Sequence, residues 1–193
     1  MKRAFTLLEL VIVVAIIAVG AAFLWPVFAR LNSPKREGSC LANLKQIGLG
    51  FIQYTQDYND KFPFAHATPT MGWADALQPY LKSRSVFWCP MTPTLTAPGN
   101  DNFYNRRLSG VAASKVSTPS LTILAGDGEA NAPTWNLWAK SPADAATNST
   151  SPSQRHDGTA NYLFADGYVK ALKPSSISST FAAPTSRATF AFR

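Results

Sequence analysis

Histidine and cysteine are scarce in this chain, with two of each among 193 residues. Their spacing matches no paired-ligand pattern of zinc sites, so the sequence carries no motif for a transition-metal centre. Acidic residues are also few, 11 against 18 Lys and Arg, for a formal net charge of +7. The basic residues are scattered (Arg30, Lys35-Arg36, Lys45, Arg106-Arg107, Lys170 and Lys173 among them), and no dense run marks a nucleic-acid patch. A solvated basic surface is the expectation, with no specific nucleic-acid partner. There is no Gly-x-Ser-x-Gly nucleophile elbow. His156, Asp157, Asp166, Asp127 and a nearby Ser are the residue types of a hydrolase, but nothing in their spacing orients a base toward a nucleophile. The chain is therefore expected not to be an enzyme. A calcium-loop pattern is absent too, although Asp101, Asp127, Asp157 and Asp166 lie in turn-rich segments that offer oxygen ligands. Calcium is the one candidate metal, and no other cofactor is expected.

What the chain does have is a long apolar run almost at its start. From Phe5 to Leu24 the only clearly polar side chains are Thr6 and Glu9, preceded by Met1, Lys2, Arg3 and Ala4. As a helix that stretch is about 30 Å long at ~1.5 Å per residue, the thickness of a bilayer's hydrocarbon core. A signal peptide would share the basic start and the apolar core, but the length, Glu9 and the closing Trp25-Pro26 fit it poorly. A plain anchor leaves Glu9 unexplained, since a carboxylate costs roughly 2.5–3.5 kcal/mol at mid-membrane and less near an end. Pairing with a cation, such as the terminal amine of a neighbouring helix, would offset that cost. Small residues (Ala15, Ala18, Gly20, Ala21, Ala22) permit close helix packing.

Beyond the run, Ser33-Pro34 suits a helix interruption or restart, and Pro26 and Pro34 are candidate kinks. Leu41, Leu44, Ile47, Gly48, Phe51, Tyr54 and Tyr58 then recur at three- and four-residue steps, which predicts an amphipathic helix ended by Asn59-Asp60 and Pro63. A short helix is expected over 73–78. Segments 92–102 and 141–155 read as exposed loops. Residues 121–125 read as a strand stopped by a Gly126-Asp127-Gly128 turn. The clearest hairpin is 159–172, with Asp166-Gly167 as a two-residue turn. From Pro174 onward the Ser/Thr/Ala-rich tail is expected to be loosely ordered, with 189–192 able to add an edge strand. The fold class is α+β, a long N-terminal helix laid on a small antiparallel sheet. Among the tryptophans, Trp88 is assigned to the core, while Trp135 and Trp138 are candidates for an exposed contact. Cys40 and Cys89 can form a disulfide of spine to body if the body lies in an oxidising compartment, the alternative being two unpaired buried thiols.

Ala4-Phe5-Thr6-Leu7-Leu8-Glu9-Leu10-Val11 resembles the N-terminal methylation motif of type IV prepilins and type II secretion pseudopilins. The resemblance implies a leader at 1–4, cleavage between Ala4 and Phe5, N-methylation of Phe5, and a role for Glu9 in assembly through a neighbouring subunit's terminal amine. The family usually has Gly before the cut, where this chain has Ala4. Cys40-Leu41-Ala42-Asn43-Leu44-Lys45-Gln46-Ile47-Gly48-Leu49 is similar to a segment of one prepilin-like group whose members carry a His, nine residues, then Asp-Gly; here His156, Asp166 and Gly167 match that spacing. The implied organisation is a membrane and filament-core helix over 5–30, a pilin-like globular domain over 31–173 and a tail over 174–193. The implied partners are a prepilin peptidase/N-methyltransferase, other pilin or pseudopilin subunits and the inner membrane, with the body outside the cytoplasm and exposed in the periplasm or at the cell surface once assembled. The competing expectation is a single-pass, membrane-anchored envelope binding protein that never polymerises.

Overall fold

The computed structural model describes residues 7–68, 70–92, 99–134, 136–178 and 187–191, the side chains of 23–37 and of Asn131 excepted. It is α+β. The chain divides into two units, Met1–Arg36 and Glu37–Arg193. Helix α1 is assigned over Leu7–Asp57. The expected interruption at Ser33-Pro34 is not present, since helical assignment runs through both Pro26 and Pro34. In the first unit, residues 7–22 are all exposed, including Leu7, Leu8, Leu10, Ile16, Ile17 and Val19. Among the described residues, no helix is long and apolar enough to cross a membrane. The expected span over 5–30 lies partly outside them, since residues 5 and 6 and the side chains of 23–30 are not described.

The second unit holds the core. Leu44, Ile47, Phe51 and Tyr54 of α1 are buried, as their spacing predicts, and α1 ends where Asn59 and Asp60 take left-handed backbone. Phe51, Trp73 and Tyr104 pack as a mutually contacting trio, with ring centroids 5.5–5.7 Å apart, in a cluster that also takes in Phe62, Leu77 and Leu163. Each such side chain, fully buried, contributes roughly 1.5–3 kcal/mol. A short hairpin of β1 (His66–Thr68) and β2 (Met71–Gly72) leads into α2 (Trp73–Leu77).

The main sheet has five strands: β3 (Asn100–Asn105), β4 (Ile123–Ala132), β5 (Leu137–Trp138), β6 (Ala160–Phe164) and β7 (Val169–Leu172), in the order β5-β3-β4-β6-β7. It is mixed rather than purely antiparallel, because β5 joins β3 in parallel. Alternation along the strands sends Tyr104, Leu124 and Leu163 toward the α1 cluster, and Phe103, Ile123, Tyr162 and Phe164 toward a second cluster on the other face. That second face is covered by Trp138, Ile177, Ala188 and Phe190. The tail is therefore not loose where it is described. Ile123 N–H donates to Thr189 O, Thr189 N–H to Leu121 O, and Asn105 Nδ2 to Phe190 O. A sheet buried on both faces needs that cover, and 188–189 supply it through isolated bridges rather than an edge strand.

Three further expectations are corrected. Residues 100–102 form a fully buried strand, not a loop, helped by side-chain bonds: Asn102 Nδ2 donates to Phe87 O (2.9 Å), Asp101 Oδ2 accepts from Cys89 N–H (2.9 Å) and Asn100 Oδ1 accepts from Asn102 N–H (2.9 Å). Gly126-Asp127-Gly128 does not end a strand but lies inside β4. A methyl on Gly126 would stand 2.7 Å from Asn161 O, and one on Gly128 would stand 2.6 Å from Phe103 N. These glycines let neighbouring strands approach a central strand closely. The β6–β7 turn is longer than two residues: three, 165–167, lie between the hydrogen-bonded Phe164 and Tyr168. Phe164 O accepts from Gly167 N–H, Phe164 N–H donates to Tyr168 O, and Gly167 has φ +86°, the arrangement of a tight turn with a glycine bulge.

Gly126→Ala is expected to destabilise the fold by roughly 1–3 kcal/mol through this overpacking. Urea unfolding followed by tryptophan fluorescence measures it, and an unchanged midpoint would contradict the close approach.

Candidate functional site

Two regions carry functional residues, and they belong to different units. In the first, Glu9 sits in the opening turn of α1 and is exposed, on a helix whose surrounding Leu, Val and Ile side chains are exposed as well. Ala4 and Phe5 lie outside the described residues.

The second is a buried polar cluster in the globular unit. Cys40, on α1, is bonded to Cys89, with Cα atoms 4.9 Å apart. Cys89 is held from the sheet side, since its N–H donates to Asp101 Oδ2 of β3, and Thr92 Oγ1 donates to the same oxygen (2.9 Å). His156 precedes β6. Its N–H donates to Thr159 O and its side chain is wholly enclosed. The imidazole Nε2 lies 3.9 Å from Cys89 Sγ and 3.0 Å from Asp127 Oδ2. Asp127, from the middle of β4, also accepts the Asn161 N–H (2.7 Å) and faces Arg155 Nη1 at 3.5 Å. Arg155 in turn donates to Asp101 O and Gly128 O. The Asp127–Arg155 pair is nearly buried, so its charges balance one another in place of water. Nearby, burial raises the Tyr162 hydroxyl to about 12, with Ser153 lowering it in part and the charge of Asp127 raising it.

The structure brings together Cys40, Cys89 and His156 from the sequence-derived residues, and separates them from Asp166 and Gly167. The latter pair lies at the far end of β6: Asp166 Oδ1 accepts the Tyr168 N–H (3.0 Å), and Gly167 packs on Ile52 of α1. The nine-residue interval is thus one turn, one five-residue strand and the start of the next turn. Of the four aspartates considered for calcium, Asp101 and Asp127 sit in this cluster, Asp157 is exposed with left-handed backbone, and Asp166 serves its turn. Among the described residues, the one set of His, Cys, Asp or Glu gathered at ligating distance is Cys40, Cys89 and His156, with ligand atoms within 4.8 Å of one another. Arg155 was not legible as a cluster member; Asp127 was named beside His156, but its place in the middle of β4 was hidden because Gly126-Asp127-Gly128 reads as a turn.

The tryptophans also depart from expectation. Trp88 is 37% exposed, its Nε1 donating to Gly99 O, whereas Trp138 is buried and stacked on Phe103 at 4.2 Å. Trp135 lies outside the described residues.

The family model of the prokaryotic N-terminal methylation motif matches residues 1–25. No curated protein and no solved structure matches the chain. The matched motif supports a type IV pilin-like protein, processed by a prepilin peptidase.

The bond between Cys40 and Cys89 closes a loop of 49 residues' separation, worth ~2–4 kcal/mol. Reduction in the presence of a chelator is expected to lower the thermal midpoint by roughly 5–15 °C. Calorimetry with and without a phosphine reductant measures the shift, and an unchanged midpoint would contradict a stabilising tie between α1 and the sheet.

Proposed function

We propose that this chain is the precursor of a filament subunit, of a type IV pilus or a type II secretion pseudopilus, and that it does no catalysis. The observation that carries the reading is the N-terminal methylation motif at residues 1–25, with Ala4-Phe5 at the cut and Glu9 five places into the mature chain. Cleavage before Phe5 frees an amine, which is then methylated. In the inner membrane the apolar helix over 5–30 anchors the subunit, with the body outside the cytoplasm. During assembly the same helix leaves lipid for a core of like helices. There the apolar stripes pack together, and Glu9 neutralises the terminal amine of a neighbour. The ring of exposed Leu, Val and Ile at 7–22 supports this, since a helix apolar all round belongs in lipid or a packed core.

The His156 to Asp166-Gly167 interval and the segment from Cys40 favour the pseudopilin-like group over a surface pilin. In the competing reading the chain is a membrane-anchored binding protein that does not polymerise, and Glu9 then has no task.

Glu9→Gln separates the two. A filament subunit bearing it remains in the membrane fraction while its incorporation into sheared filaments is lost. Unchanged incorporation, or filaments absent with either sequence under conditions where the apparatus runs, would overturn the proposal.

A further inference from the structure

The disulfide has a neighbour that it does not need. A cystine is content among apolar side chains, yet here it touches a wholly enclosed imidazole that is itself tied to a buried carboxylate and guanidinium. Burying such a set is costly unless its members are paired, and here the pairing holds a carboxylate and an imidazole against the sulfurs. The groups present are two sulfurs, one imidazole nitrogen and one carboxylate, the donor set that zinc takes in tetrahedral sites.

We propose that, once the Cys40–Cys89 bond is reduced, Cys40 Sγ, Cys89 Sγ, His156 Nε2 and Asp127 Oδ2 bind one zinc ion. Disulfide and metal are then alternative ties between α1 and the sheet at the same point. Cys40, Cys89 and His156 are already gathered, and Asp127 would complete the set once the sulfurs part. Zinc bonds of ~2.3 Å to sulfur and ~2.1 Å to nitrogen put S and N about 3.6 Å apart in a tetrahedron, against 3.9 Å for Cys89 Sγ to His156 Nε2. The carboxylate oxygen is already 3.0 Å from that nitrogen. The three Cys and His ligand atoms lie within 4.8 Å of one another, and all three residues are buried. Calcium, which takes only oxygen donors, does not suit this set.

The chemistry balances. A dithiol reductant gives two electrons and two protons to the S–S bond, which breaks into two thiols while the reductant becomes a disulfide. Zinc then displaces both thiol protons to solvent, forming two Zn–S bonds. His156 coordinates as neutral imidazole, its proton carried on Nδ1, which has no hydrogen-bond partner among the described residues. Two thiolates and Asp127 bring three negative charges, which zinc (two positive) and Arg155 (one) offset, while the Asp101 carboxylate beside Cys89 is held by the Cys89 N–H and the Thr92 hydroxyl. The sequence spacing hides this site because its ligands come from α1, the segment after it, β4 and the turn before β6.

Cobalt(II) substitutes for zinc and reports its own geometry. The whole chain, reduced with a phosphine and freed of it without air, is titrated with cobalt(II) alone. The expected result is one equivalent bound with the visible bands of tetrahedral cobalt and a thiolate-to-cobalt band, all bleached by zinc and all absent from the oxidised chain. His156→Gln should weaken cobalt binding at least ~10-fold while the reduced variant keeps its circular dichroism. If the reduced chain loses its fold, zinc should restore it, and failure to do so overturns the site. No tetrahedral thiolate spectrum from the reduced folded chain overturns it as well. Equal binding with His156→Gln would show a cysteine pair acting without the imidazole, which also refutes the assignment.

Discussion

The globular unit depends on one line of contact, where the segment of α1 from Cys40 to Ile52 runs beside β6. It is fastened at three levels. At the first, Cys40 is bonded to Cys89, against which His156 stands. In the middle, Gly48 admits Leu163, since a methyl there would come within 2.8 Å of Leu163 Cδ1. At the far end, Gly167 of the β6–β7 turn meets Ile52. Helix and strand advance in the same direction, so the His156 to Asp166-Gly167 interval spans the length of the contact. One motif therefore marks both ends of the strand that the helix lies on. Loss of register at either end would shift the whole row, because a one-residue slip sends each strand side chain to the opposite face.

The sheet's two buried faces account for most of what the rest of the chain does. Helix α1, α2 and the aromatic stack at Phe51 cover one face, and Trp138 with Ile177, Ala188 and Phe190 covers the other. The periodic elements were legible: the spacing of Leu44, Ile47, Phe51 and Tyr54 marks a helix face, and Asp166-Gly167 marks a turn. Less legible was anything whose role depends on a distant partner. Asp101 and Asn102 look like parts of a loop until Cys89 N–H and Phe87 O satisfy them. Gly126 and Gly128 look like punctuation until strands β6 and β3 are placed against them. The tail looks soluble because its Ser and Thr outnumber the two or three side chains that pack.

The candidate sites divide in the same way. The N-terminal motif is local in sequence, so Glu9 and the cut before Phe5 stand out without any structure. The polar cluster is assembled from separate segments, so spacing conceals it: His156, the two cysteines, Asp101 and Asp127 each drew notice, but nothing in the sequence put them in one place, and Arg155 drew none. The two sites also serve separate physical ends. Under the proposed function, the exposed apolar helix and Glu9 concern what happens between subunits. The Cys40, Cys89, His156 and Asp127 cluster concerns how firmly a single body holds its own helix.

The account stands or falls on processing at the N-terminus, which the match at residues 1–25 implies. The direct measurement is the mass and identity of the first residue of the protein extracted from its native membranes. An N-methylated Phe5 is the predicted result, with Ala4 accepted before the cut. An intact Met1 on the mature, membrane-extracted protein would contradict the account and leave a permanently anchored envelope protein.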